Sequence, residues 1–187
     1  MKSETQAILR RVLKDIQVEM ADEFDQNFER EAFFSEPWQR RRSPMRPDGH
    51  ILVDTGQLRR SIQSRTTDSS VTFFTTEPYA DIHNEGGEIV VTTRMKKYFW
   101  RKYYEATGSF GRKKDGSLRR DKRNRQLSTE AEFWKFMALK KAGTTIKIPR
   151  RRFLGRSPEV EKAVRRIIEE HLSGYIEDTI NFEIHEK

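Results

Sequence analysis

Asp81, His83 and Glu85 fall within a five-residue span. An imidazole between two carboxylates is a donor set for a divalent metal or for acid–base work. In an extended segment, alternation would turn all three to one side. A metal-dependent hydrolase built on them lacks a second histidine, however. His50, His171 and His185 are scattered, and no His-Glu-x-x-His or comparable spacing occurs. The plainer reading is a single helical turn over Tyr79 to Asn84, with His83 hydrogen-bonded and Gly86-Gly87 ending it. Nucleophilic chemistry has less to build on. There is no Cys, no Ser sits in a Gly-x-Ser-x-Gly elbow, and Gly108, Gly111 and Gly116 form no phosphate loop after a strand. The expectation is a protein that is no enzyme and uses no metal or cofactor.

Charge offers more. The chain carries 37 Lys and Arg against 29 Asp and Glu, a net +8 with pI about 9.8. Such a balance favours acidic partners. Arg112, Lys113, Lys114, Arg119, Arg120, Lys122, Arg123 and Arg125 crowd one stretch, opposed only by Asp115 and Asp121. Cations at this density displace condensed counterions from phosphates, so the alternative reading is a non-specific nucleic-acid-binding protein using residues 112–125. Phe99, Trp100, Tyr103, Tyr104 and Phe110 lie near enough in sequence to stack on bases, although helical spacing such as that of Phe99 and Tyr103 more often marks hairpin core. Arg59, Arg60 and the run Arg150, Arg151 and Arg152 are further basic candidates for a partner surface, with Asp81, His83 and Glu85 facing them as acidic or polar ones.

The elements that position these residues follow from pattern. Ile8, Val12, Leu13, Ile16, Met20, Phe24 and Phe28 recur at three- and four-residue spacing, which predicts a helix from about Ser3 to Phe33, capped by Ser3 with Gln6. Glu36 to His50, with Pro37, Pro44, Pro47 and Gly49, reads as a loop made basic by Arg40, Arg41, Arg42 and Arg46. Thr55 caps a short helix anchored by Leu58 and Ile62, leaving Arg59 and Arg60 free. Ile62–Thr66 and Val71–Thr75 pair as a hairpin, and Ile89-Val90-Val91 marks another strand. A helix from about Arg94 to Ala106 and one opened by a Thr129/Glu132 capping box make an αα-hairpin. Thr144 to Pro149 returns as a strand. Ser157, Pro158 and Glu159 then start a final helix striped by Val160, Val164, Ile167, Ile168, Leu172, Tyr175 and Ile176.

The fold class is therefore α+β: an antiparallel sheet flanked by long N- and C-terminal helices, with an inserted helical hairpin. Residues 1–187 read as a single domain, with the hairpin at 94–143 and a basic, mobile tip at 107–126. The hydrophobic fraction is 34%, where ordinary domains reach about 45–50%. So small a core predicts that part of the chain packs on a partner or stays mobile. The first residues do not read as a signal peptide, and no run of about 18 apolar residues predicts a membrane span.

Three short motifs occur in fixed order: Leu52-Val53-Asp54-Thr55-Gly56-Gln57-Leu58-Arg59-Arg60-Ser61-Ile62, then Tyr79-Ala80-Asp81-Ile82-His83-Asn84-Glu85-Gly86-Gly87, then Ile148-Pro149-Arg150-Arg151-Arg152-Phe153-Leu154-Gly155. With the amphipathic helix that follows, they resemble the phage virion morphogenesis (tail completion) family of Mu-like phages and prophages. Arg151 and Phe153 match an Ile-Pro-x-Arg-x-Phe pattern, and the additional arginines depart from it. The resemblance implies a structural protein that completes tails or joins them to heads, and no catalysis. It implies phage tail or neck proteins as partners, a homo-oligomeric ring, and no membrane. It places the protein in the host bacterial cytoplasm during assembly, or in the virion. Non-specific DNA contact would suit a channel that carries DNA.

Overall fold

The structure, a computed structural model, describes residues 2–41, 43–44 and 49–179, with side chains from Thr5 to Ile176 within those bounds. Arg42, Arg46, Pro47, His185 and the side chain of Ser3 lie outside them. The chain is α+β, with six helices and three antiparallel strand pairs among the described residues. It divides into two compact units: 1–38, 52–80 and 151–187 in the first, and 39–51 and 81–150 in the second.

The first unit is built on the two long terminal helices, α1 (Lys2–Arg30) and α6 (Pro158–Thr179). Met20 and Phe24 of α1 form the core with Phe33, packed against Ile16, Phe34, Phe73, Leu154, Val160 and Val164. Beside it Phe28 is fully buried between Trp38 (ring centroids 5.6 Å) and Phe153 (5.3 Å), and Trp38 Nε1 donates to the Arg152 carbonyl at 2.6 Å. Trp38 is thus a core residue, although a proline-rich segment follows it.

Helix α1 ends at Arg30, short of the sequence expectation of Phe33, for a local reason. Glu31 takes a positive φ, and the buried Asn27 side chain accepts the Phe34 N–H at 2.9 Å. Asn27 also donates to the Phe153 carbonyl at 3.2 Å, so it pins the chain turn and the third motif together. The turn makes the small pair β1 (Ala32–Phe33) and β2 (Glu36–Pro37). Short helix α2 (Gln57–Arg60) leads into the hairpin of β3 (Gln63–Thr66) and β4 (Val71–Phe74), paired Gln63 with Phe74 through Thr66 with Val71. At the start of α6 Ser157 Oγ accepts the Val160 N–H at 3.2 Å, the cap its sequence position predicts.

In the second unit β5 (Gly87–Val90) pairs with β6 (Thr145–Ile148), and the helical hairpin α4 (Thr93–Gly108) and α5 (Lys122–Leu139) is inserted between them. Short α3 (Ala80–Asn84) crosses from one unit to the other in sequence. Small buried residues, Ala106, Ala131 and Ala138, let α4 and α5 approach, and Phe99 stacks on Trp134 at 5.9 Å. Among the described residues the strands thus pair two by two and do not merge into one sheet.

Helix α5 differs from the sequence expectation. It begins seven residues before Thr129, capped by Asp121, whose carboxylate accepts the Asn124 N–H at 2.8 Å. Thr129 lies inside the helix, and its hydroxyl donates back to the Arg125 carbonyl. The acidic cap wins because it serves the true first turn, whereas the Thr129/Glu132 pattern is met by residues already in helix. Lys122, Arg123 and Arg125 consequently sit on helix and not in a loop.

Candidate partner-binding site

The first motif builds a charged corner on the first unit. Leu58 plugs the core and fixes α2, which turns Arg59 toward α1. Arg59 Nε donates to Asp25 Oδ1 at 2.6 Å, and its Nη2 reaches Asp25 Oδ2 at 2.5 Å and Glu29 at 2.9 Å. Asp25 and Glu29 are one helical turn apart, so both face the same guanidinium. The Arg59 bonds hold the Asp25 carboxyl below its ordinary value, against the opposing effect of burial. Asp25, and secondarily Glu29, hold Arg59 still more firmly protonated.

Arg59 is therefore not free for a partner. Arg60 is exposed, with one bond to the Thr55 carbonyl at 2.9 Å. A shallow cleft of about 260 Å3 opens beside the pair, lined also by Ala21, Ile62, Gln63, Ser64 and Phe73.

The three arginines of the third motif have three different surroundings. Arg150 is exposed, with Nη2 3.9 Å from Glu85 of the second motif. Arg151 is 8% exposed. Arg152 lies over the Phe33 ring at 4.7 Å. Arg150 is exposed, Arg151 buried and Arg152 half-buried, so the triplet is no continuous basic face.

The second motif forms helix α3 and not an extended segment. At about 100° per residue, Asp81 and Glu85 share a face and His83 points away from it. Among the described residues no group of three His, Cys, Asp or Glu is placed to hold a metal. Asp81 and Glu85 are exposed, and His83 is half-buried.

The chain matches the phage virion morphogenesis family over residues 2–173. It belongs to that family. The match includes all three motifs and the inserted hairpin, so the basic segment lies within the family's span. Family membership gives the protein a structural part in phage virion assembly, among other virion proteins. No curated protein and no solved structure matches the chain. Among the described residues no helix is long and apolar enough to cross a membrane.

Charge separates the two units in this family member. By sequence the second unit holds 22 Lys and Arg against 9 Asp and Glu, a net +13. The first holds 15 against 20, a net −5. The chain's +8 is therefore the difference between a strongly basic unit and a mildly acidic one. Arg112, Lys113, Lys114, Arg119, Arg120, Lys122, Arg123 and Arg125 are all exposed at the hairpin tip. Sequence reasoning missed the acidic partners of Arg59. The four-residue spacing of Asp25 and Glu29 was the available signal, but nothing in sequence ties it to a residue 30 positions away.

Proposed function

We propose that the protein acts in tail completion or head–tail joining, by protein–protein binding alone, as identical subunits packed around an axis. The observation that carries this reading is the outer stripe of α6. Its inner members Val160, Val164 and Ile167 are covered, yet Ile168, Leu172 and Ile176 remain 36%, 48% and 52% exposed at four-residue spacing. Three large aliphatic side chains on one helical face are stabilised by a second surface. A ring closes through two different, complementary faces. The exposed Arg60 of the first unit offers a cation to such a contact, and in the second unit Asp81, His83 and the Arg150–Glu85 pair offer charged and polar groups.

Electron microscopy of an induced lysate with the gene disrupted tests this reading. Filled heads beside unjoined tails, or tails of abnormal length, are expected. Normal joined and infectious particles would overturn it.

A further inference from the structure

The hairpin tip, residues 111–125, is a built element and not a loose loop. Asn124, 6% exposed, accepts from the Gly111 N–H at 2.8 Å and donates to the Gly111 carbonyl at 2.8 Å and the Arg119 carbonyl at 2.7 Å. Arg112 bridges Leu118, its guanidinium donates to the Gly116 carbonyl, and Arg119 Nε donates to the Arg112 carbonyl. Both acidic residues are occupied: Asp115 accepts from the Ser117 hydroxyl and backbone N–H, and Asp121 caps α5. Two of the eight cations thus shape the tip. The other six, Lys113, Lys114, Arg120, Lys122, Arg123 and Arg125, have exposed side chains with no hydrogen bond or ion pair among the described residues.

We propose that this tip binds the phosphate backbone of duplex DNA, without reading its sequence. Six unpaired cations on a preorganised scaffold are held together against their mutual repulsion, a cost that a polyanion offsets by counterion release. The tip carries no aromatic residue between Gly111 and Arg125, so it offers no platform for unstacked bases. The hairpin's aromatics lie outside the tip: buried Phe99 stacks on Trp134, and Trp100 stacks at 6.0 Å on Tyr104, itself exposed on α4. Contacts confined to phosphates favour a duplex over a single strand and carry no sequence information.

Two other anionic surfaces fit less well. A second copy of this chain could present its acidic unit, but Asp15, Glu19, Glu23, Asp25, Glu29 and Glu170 there are already held by His171, Arg166, Arg30 and Arg59. A lipid surface needs apolar side chains to insert, and the tip exposes only Leu118. The inference does not rest on the assembly reading, because it concerns a duplex and a single copy.

Fluorescence anisotropy with the full chain and a labelled random-sequence duplex tests it. Affinity should fall roughly a thousandfold between about 50 and 200 mM salt, and duplexes of unrelated sequence should bind alike. Combining Lys113→Gln, Lys114→Gln, Arg120→Gln and Arg123→Gln should lower the log–log salt slope by about 3 to 4. All four positions are exposed, and the residues that shape the tip are left in place. The pair Lys113→Gln and Lys114→Gln, outside any helix, should show about half that change. No binding at about 50 mM salt, or an unchanged slope in the quadruple variant, would overturn the proposal. So would uptake by phosphatidylserine vesicles or salt-sensitive self-association that depends on the tip while the duplex stays unbound.

Discussion

Arg59 and Asp25 form a two-pronged ion pair between α2 and α1, with Glu29 on the same guanidinium. It joins the first motif to the N-terminal helix across 34 residues of sequence. Asp25 is about half exposed, so water screens the pair and its worth is about 1 kcal/mol. Arg59→Ala should lower Tm by roughly 2–4 °C at neutral pH. The Asp25 carboxyl titrates below its ordinary value of 3.8 in the folded state, chiefly because Arg59 hydrogen-bonds its charged form. A depressed folded pKa contributes stability that is present above the unfolded value and lost as pH falls through the folded one. The gap in Tm between wild type and Arg59→Ala should therefore narrow as pH drops below 3.8. Melting curves recorded from pH 7 to pH 2 measure it, and a gap independent of pH would remove Asp25 as the partner that matters.

Asn27 is buried within the apolar core and serves two backbone groups, the Phe34 N–H and the Phe153 carbonyl. Asn27→Ala strands both and opens a small void. Each orphaned group costs about 1–3 kcal/mol, so a loss of roughly 2–4 kcal/mol is expected. Urea unfolding reads it directly. A loss under about 1 kcal/mol would mean that both groups find other partners.

The apolar stripes of α1 and α6 are legible in sequence because helical periodicity records burial on one face. The α6 start is legible because Ser157 and Pro158 act locally. Asn27 and Asn124 are not, since a polar residue in a helix reads as solvent-facing until its distant backbone partner is known. The same limit separates Arg59 from Arg60: neighbouring and chemically identical, one meets two carboxylates and the other, exposed, a single backbone carbonyl. In the arginine triplet, Arg151 is drawn into the first unit's interior while Arg150 stays out, a difference set by tertiary packing alone. The metal-like trio of the second motif depended on an extended backbone, and a helical one parts His83 from the two carboxylates.

Asn124 should govern the order of the tip without altering its charge. Asn124→Ala removes three hydrogen bonds to Gly111 and Arg119. The Gly111 amide loses its acceptor and should exchange faster with solvent. Hydrogen–deuterium exchange over residues 110–120 should quicken, while the α4–α5 contact at Phe99 and Trp134 stays protected. Unchanged exchange at Gly111 would show that the Arg112–Leu118 bridge alone holds the tip.

Gly86 and Gly143 both take positive φ, +72° and +88°, but in different surroundings. A Cβ on Gly86 would lie 2.8 Å from the Arg150 backbone nitrogen, whereas one on Gly143 meets nothing within 4 Å. Gly143→Ala should cost only the dihedral strain, about 1 kcal/mol. Gly86→Ala adds a clash with backbone that must shift the β5–β6 pairing, and should cost roughly 1–3 kcal/mol more. Equal losses in thermal or urea unfolding would mean that the strand pair yields without resistance.

Ile167 and Leu172 distinguish what α6 does for the fold from what it does for assembly. Ile167 is 3% exposed, so Ile167→Ala should destabilise the monomer by roughly 2–4 kcal/mol. Leu172 lies on the outer stripe, and Leu172→Glu should change monomer stability by no more than about 0.5 kcal/mol. If the outer stripe packs against a neighbouring subunit, that glutamate places a charge in an apolar contact, where desolvating it costs several kcal/mol. Complementation of a gene-disrupted prophage then separates the two roles. Stable Leu172→Glu protein that yields unjoined heads and tails supports the stripe as an interface. Wild-type particle yields from Leu172→Glu would exclude it and leave the exposed charges of the first motif and those of the second as separate surfaces to test.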